Sequence, residues 1–241
     1  MGARGVRKIE RSDDLIPAFR EAKEASISGK LVVEEFMEGP ELSMDALIYK
    51  DDIHITGVAD RIIEHSPYFV EVGHTLPSNL PEQKIKETIE AFKQAIRALG
   101  INTGAAKGDI KFTPEGPKIV EIAARLSGGW MSAYTYPLSS GVNLYKAAIQ
   151  VALGESPDGL KPKSSMVAAE RSLIPVPGKI LSIRGVEDAR KVKGVREIIL
   201  MKEAGDWVEE PKSNMGKAVS YTHLRAHETS LHLVCRLLLE K

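Results

Sequence analysis

Asp109 and Glu121 are the two residues whose type and spacing best suit the holding of a cation. The segments Asp109-Ile110-Lys111-Phe112 and Lys118-Ile119-Val120-Glu121-Ile122 each alternate in side-chain character. Between them, Thr113-Pro114-Glu115-Gly116-Pro117 is a Pro/Gly turn, so the whole stretch is predicted to be a β-hairpin. Side chains on a strand alternate between faces, which lets the two acids meet on one face, one from each strand. Carboxylates held side by side repel unless a cation lies between them. Mg2+ is held in this way, by one or two carboxylates together with nucleotide phosphates. Exposed acids are also the ordinary surface pattern of a hairpin, so the hairpin alone leaves both readings open.

Other residues could do related chemistry. Glu34-Glu35-Phe36-Met37-Glu38-Gly39-Pro40-Glu41 clusters acids at a Gly-Pro break between two expected strands. Carboxylates there can accept hydrogen bonds from an amine or from ribose hydroxyls, or simply form a charged connection. Gly2-Ala3-Arg4-Gly5-Val6 has the glycines that let backbone N–H groups approach an anion, and it also reads as a plain turn. Glu71 and His74 flank Gly73 at a strand end, where a histidine of near-neutral pKa can contact substrate or serve structure. Arg125 follows Glu121 by one helical turn's spacing and precedes Ser127-Gly128-Gly129. Its planar guanidinium suits a phosphate or carboxylate gripped at two oxygens. Asn143 lies near enough in sequence to reach the same place.

These residues must be positioned by strands and helices. Residues 12–26 are predicted to form a helix begun at Ser12-Asp13-Asp14. Strands are expected over residues 31–36, 42–49, 53–62 and 68–72. Pro81 opens a long helix to about Leu99, with Ile85, Ile89, Phe92, Ile96 and Leu99 in one apolar stripe and Gly100 as its stop. A further helix is expected over 142–153. Residues 155–163 turn Pro/Gly/Lys-rich, a plausible boundary. Beyond it, strands over 165–174, 179–183 and 195–201 and a short helix over 187–191 suggest a small α+β appendage, with Glu170-Arg171 as an internal ion pair.

The chain has 241 residues, 43% hydrophobic and 27% charged, with 33 basic and 33 acidic side chains. Such a balance gives no overall pull toward nucleic acid or a membrane. No run is long enough to span a bilayer, and the first residues lack a secretion signal. The single cysteine, Cys235, allows no intrachain disulfide, consistent with a cytoplasmic location. Residues 220–241 hold three of the six histidines. His223 and His227, with His232 and Cys235, invite a zinc reading. The stretch instead resembles translated sequencing-adapter sequence, and is expected to be non-native and to pack poorly.

Taken together, the pattern resembles the ATP-grasp superfamily, in the branch of biotin carboxylase, carbamoyl-phosphate synthetase and the carboxylate–amine ligases. The resemblance implies an α+β fold: an ATP-grasp subdomain on an antiparallel sheet with packed helices over residues 1–154, truncated at its N-terminus, and a small C-terminal α+β subdomain over 155–219. It implies nucleotide contacts from Arg4 and Gly5 of a glycine-rich phosphate loop, from Glu34, Phe36 and Met37 of the adenine hinge, and from Glu41 on the ribose. Glu35 stands where many relatives have lysine. Asp109 and Glu121 match the metal-binding acids. Arg125 matches a catalytic arginine that faces the transferring phosphate, and Ser127, Gly128 and Gly129 match the substrate-facing segment, with Glu71 and His74 nearby. Ala123 stands where relatives commonly have a metal-binding asparagine, and the lysine before the glycine loop is absent.

The resemblance implies ATP and Mg2+ (or Mn2+), small-molecule carboxylate and amine substrates, and activation of the carboxylate as an acyl phosphate. No nucleic acid or membrane partner is implied, and a homodimer is compatible with it. Ala123 and the absent lysine keep open a non-catalytic nucleotide-binding subunit or scaffold. A fragment inactive by itself is the expectation for this chain, and a ligase for its parent.

Overall fold

The computed structural model describes residues 2–225. Its frame is an eight-stranded sheet in the order β5-β4-β1-β2-β3-β6-β10-β8. The strands are β1 (Glu41–Tyr49), β2 (Asp52–Glu64), β3 (Val70–Leu76), β4 (Gly104–Thr113), β5 (Gly116–Ala123), β6 (Val167–Leu173), β8 (Val195–Leu200) and β10 (Val219–Arg225). Every neighbouring pair is antiparallel. Two-residue strands β7 (Gly178–Lys179) and β9 (Trp207–Val208) pair separately. The helices are α1 (Leu15–Ala25), α2 (Glu82–Ala98), α3 (Tyr136–Ser140), α4 (Leu144–Ala152) and α5 (Val186–Lys191). None is long and apolar enough to cross a membrane. The expected α+β class on an antiparallel sheet is the observed one.

Strand β1 is buried on both faces, and its alternation divides the core. Leu42, Met44, Ala46 and Ile48 point toward α2, where Phe92 and Ile96 are fully buried, as the helical stripe requires. Gly108 makes that contact possible: a Cβ there would stand 2.6 Å from the Phe92 ring. Leu99, at the end of the stripe, is 60% exposed and caps the helix instead. On the other face, Leu47 packs with Ala59, Leu76, Met131, Tyr136 and Leu144. Glu41, Ser43 and Asp45 lie on that same face, so it is apolar at one end and polar at the other.

Several expectations change. Residues 31–36 form no strand, and Val32 and Val33 are 79% and 83% exposed. β-branched composition favours a strand only where it is paired into a sheet, and this segment takes no part in the ladder. Beyond residue 154, β6 pairs with β3 and extends the same sheet. Residues 220–225, expected to lie outside the fold, belong to β10 between β6 and β8, with Ser220, Thr222 and His223 buried. His227, His232 and Cys235 of the zinc reading lie outside the described residues. Among the described residues, no group of three or more His, Cys, Asp or Glu is disposed to hold a metal.

Gly108→Ala is expected to lift α2 from the sheet at a cost of about 1–3 kcal/mol, the usual cost of overpacking. Urea unfolding measures it; an unchanged midpoint would mean that α2 does not seat on β4 as described.

Candidate active site

The two acids of the hairpin meet through an irregularity. Counted back from Thr113 and Gly116, regular pairing would set Val120 opposite Asp109. A β-bulge at Asp109/Ile110 leaves Val120 unpaired and brings Glu121 into register with Asp109. Bulges re-aim side chains in this way next to functional sites. Asp109 is 5% exposed. Its Oδ1 accepts a hydrogen bond from Ser43 Oγ at 3.0 Å, and its Oδ2 lies 2.9 Å from Arg61 Nη1. The Lys107 ammonium bonds Asp109 and stands 4.0 Å from Glu121 Oε1. The same ammonium therefore lies between the two carboxylates, bonded to one and at the limit of an ion pair with the other. Ala123, paired with Lys107 across the hairpin, offers no side-chain oxygen there.

Arg61, on β2, is the centre of a larger charged group. Its guanidinium contacts Glu41, Glu71 and Asp109, with Nη2 at 2.8 Å and Nε at 3.1 Å from Glu71 Oε2. Burial works against the guanidinium's charge, but the three carboxylates outweigh it and raise its pKa. Lys111 Nζ lies 3.9 Å from Glu41 and donates to Met37 O at 3.0 Å. Glu71 Oε1 is 3.6 Å from Lys217 Nζ, and its backbone N–H donates to Asn214 Oδ1 at 2.9 Å. Burial would push the Glu71 carboxyl up; His74, Arg61 and Lys217 bring it well below its ordinary value.

His74 is 2% exposed, with Nε2 3.3 Å from Glu71 and Nδ1 3.4 Å from Glu170. Burial disfavours the imidazolium, but these two carboxylates prevail and its pKa is raised. Strand register explains the gathering. Lys111, Glu41, Arg61, His74 and Glu170 are successive partners across β4, β1, β2, β3 and β6. Arg171 is no partner of the Glu170 carboxylate, contrary to expectation: it donates to the backbone oxygens of His74 and Glu170 and to Thr75. Adjacent strand residues point to opposite faces, so the two charged ends part.

Asp45 fixes the loop after β5. It is fully buried and accepts from Ser127 N at 3.1 Å, Ser127 Oγ at 2.6 Å and Ser132 Oγ at 2.5 Å. Burial pushes its carboxyl up, against the serine bonds and Lys107. Ser127 is therefore turned into the protein. Gly129 borders the charged group: a Cβ there would lie 3.1 Å from Glu71 Oε1 and 3.6 Å from His74. Arg125 is half-exposed, lies 3.9 Å from Glu121 and donates to Leu126 O. Asn143 caps α4 by accepting from Lys146 N, so it does not reach the site.

The hinge crosses β4 closely. A Cβ on Gly39 would stand 2.2 Å from Phe112 O, which together with its φ of 138° requires glycine. Phe36 stacks on Phe69 at 6.0 Å, with Lys8 and Lys111 over its ring at 4.3 and 4.6 Å. Glu34 is exposed, and so is Arg4. Gly5 packs against α1, where a Cβ would stand 2.8 Å from Ala25 Cβ. The site thus joins Glu41, Glu71, His74, Asp109, Glu121 and Gly129, and leaves Glu34 and Arg4 at the surface.

The family of the ATP-grasp domain matches residues 1–134, more than half of the chain. The chain belongs to the ATP-grasp family. The L-amino acid ligase C-terminal domain 2 matches residues 171–221. Carnosine synthase 1 of Gallus gallus is 30% identical over 131 residues, 53% of this chain and 14% of that protein. Alanine–anticapsin ligase of Bacillus subtilis is 27% identical over 183 residues, 70% of this chain and 39% of that protein. An L-amino acid ligase structure from Bacillus licheniformis superposes with a TM-score of 0.82 at 22% identity, over 92% of this chain and 58% of that one. The chain spans less than half the length of these two curated relatives.

Within this ATP-grasp sheet, Arg61, Lys107, Lys111, Asp45 and Lys217 were not singled out by the sequence, and Glu170 only as an ion-pair partner of Arg171. Lys107-x-Asp109-x-Lys111 and Glu41-x-Ser43-x-Asp45 do carry a signal: polar residues at alternate positions of strands that are otherwise apolar. Arg61, Glu170 and Lys217 carry none.

Two outcomes are expected. Asp45→Asn loses an acceptor for the serine hydroxyls and costs about 1–3 kcal/mol, with faster hydrogen exchange at the Ser127 amide; unchanged exchange would show that Asp45 does not hold the loop. The raised His74 pKa makes its charge stabilising below its ordinary value, with that stability lost as pH rises through the folded value. The stability gap between the native chain and His74→Gln should therefore narrow as pH rises above the ordinary histidine value and through the raised folded one. A gap constant with pH in thermal melts would contradict this.

Proposed function

We propose that the protein of which this chain is part is an ATP- and Mg2+-dependent ligase joining a carboxylate to an amine. The observation that carries this reading is the facing pair Asp109 and Glu121, within reach of one shared cation. Asp109 and Glu121 would hold Mg2+ (or Mn2+), which neutralises charge on the nucleotide phosphates. The names of the relatives, a carnosine synthase and an alanine–anticapsin ligase, support amino acids or their derivatives as carriers of the carboxylate and amine.

In this reading a carboxylate oxygen attacks the γ-phosphorus, and ADP leaves with the electrons of the broken P–O bond. The amine nitrogen then attacks the carbonyl carbon of the acyl phosphate. Phosphate leaves, the amine gives up a proton, and an amide bond remains. Chemistry of this kind needs positioning and charge compensation more than a protein nucleophile. Arg125, which follows the Glu121 strand and is half-exposed, would leave its surface contacts with Glu121 and Leu126 O to reach the transferring phosphate. Phe36 and the Met37 backbone would border the adenine, and Glu41 the ribose. Glu71, His74, Gly128 and Gly129 would face the substrate, with Ser127 holding the loop from behind.

Ala123 and the Lys107 ammonium beside Asp109 favour a second reading, a subunit that binds nucleotide without turning it over. Calorimetry with a non-hydrolysable ATP analogue, with and without Mg2+, separates the possibilities on this chain. Magnesium-dependent binding weakened at least about tenfold by Glu121→Ala is the expected result. Glu121 is well exposed, with side-chain exposure of 57%, so its removal leaves the buried pairs in place. Binding indifferent to both Mg2+ and Glu121 would overturn the metal assignment. Release of ADP by a full-length parent when an amino acid is supplied would exclude the second reading.

A further inference from the structure

Glu170 is a buried carboxylate that the ligase reading does not use. It lies at 0% exposure on β6 and falls between the two family matches, which end at residue 134 and begin at residue 171. One of its oxygens, Oε1, accepts from Ser172 Oγ at 2.8 Å, and that hydroxyl meets Ser220 Oγ at 2.7 Å. The other oxygen, Oε2, faces His74 Nδ1 at 3.4 Å. Neither of these two atoms makes a hydrogen bond of good geometry among the described residues, so the ion-pair contact between them is what each has. A fully buried carboxylate left unpaired is costly, and so is a buried imidazole nitrogen. Each answers the other.

We propose that Glu170 is a positioning residue: it holds His74 as an imidazolium clamped between two carboxylates, and so completes the substrate side of the site from a strand outside the ATP-grasp match. Glu71 takes the opposite ring nitrogen, with His74 Nε2 at 3.3 Å. With both nitrogens protonated, both ring donors are used and the ring cannot turn without losing a charged partner. The groups facing His74 are Arg61 across β2, Glu71 on its own strand and Glu170 on β6. Lys217 reaches Glu71 from the C-terminal segment, and Arg171 grips the His74 backbone oxygen from behind.

The same C-terminal segment fixes Glu71 as well. Asn214 accepts from the Glu71 backbone N–H, and its own N–H donates to Gly2 O at 2.9 Å. The two candidate substrate residues of β3 are thus both fixed by residues beyond 134. Loss of Glu170 frees Nδ1 and lets the imidazole lose its proton and its aim at Glu71. The ring's carboxylate partners also keep its pKa raised, as the geometry requires.

The inference rests on His74 and Glu71 being substrate-facing. Its test reads the His74–Glu170 pair directly and needs no nucleotide, so its failure is separable from failure of the ligase reading. In the native chain, ring 15N shifts of His74 at neutral pH should be those of an imidazolium, with both nitrogens protonated. In Glu170→Gln the midpoint of the His74 titration should fall by at least about one unit, a tenfold loss of proton affinity. Glu170→Asp should restore part of it. A neutral His74 in the native chain overturns the proposal even if the glutamine variant fails to fold. A folded Glu170→Gln with an unmoved midpoint overturns it too, and leaves Glu170 a merely structural residue.

Discussion

The structure of the site depends on one buried guanidinium. Arg61 contacts Glu41 from the end of the hinge, Glu71 from β3 and Asp109 from β4. A guanidinium in the interior costs several kcal/mol unless its donors are matched, and each carboxylate near it would otherwise repel the others. The four groups are therefore stable only as an assembly. Arg61 suits this place because its planar guanidinium holds five N–H donors in a fixed fork, enough to meet three carboxylates from different sides. In consequence the start of β1, β3 and β4 share one electrostatic centre. A shift of any of these strands is felt by the other two.

Around that centre the sheet face is divided. Toward the Leu47 end it packs against Tyr136 and Met131, and toward the Glu41 end it carries charge. Asp45 sits at the border and joins the halves, since its carboxylate accepts from the loop that links β5 to the helices. This is how a glycine-bearing loop is brought beside Glu71 while its serine faces inward. The C-terminal strands close the other flank. Because β6 pairs directly with β3, the C-terminal strands extend the same sheet and bring Glu170 beside His74.

Much was legible in the chain itself. The apolar stripe of α2 fixed which of its faces meets the sheet, because a 3.6-residue period has only one way to bury Phe92 and Ile96. The alternation on either side of Pro114-Glu115-Gly116-Pro117 gave a hairpin, and the repulsion of two acids gave the expectation of a cation between them. The break before β1 was legible through Gly39, although the strand expected before it does not form.

What the sequence could not decide is where strands distant in the chain become neighbours and in what register. The bulge at Val120 shows this most plainly: pairing regularly from the turn would send Glu121 to the opposite face, and one unpaired residue restores it to Asp109. A second bulge, at Ile62/Ile63, brings Glu71 to Arg61 and His74. Arg61, Glu170 and Lys217 had no local pattern, since their chemistry exists only through partners tens of residues away. Local periodicity is written in the chain because it follows from backbone geometry. The cross-strand ladder of Lys111, Glu41, Arg61, His74 and Glu170 is not, because long-range pairing is chosen by the burial and charge balance of the whole sheet.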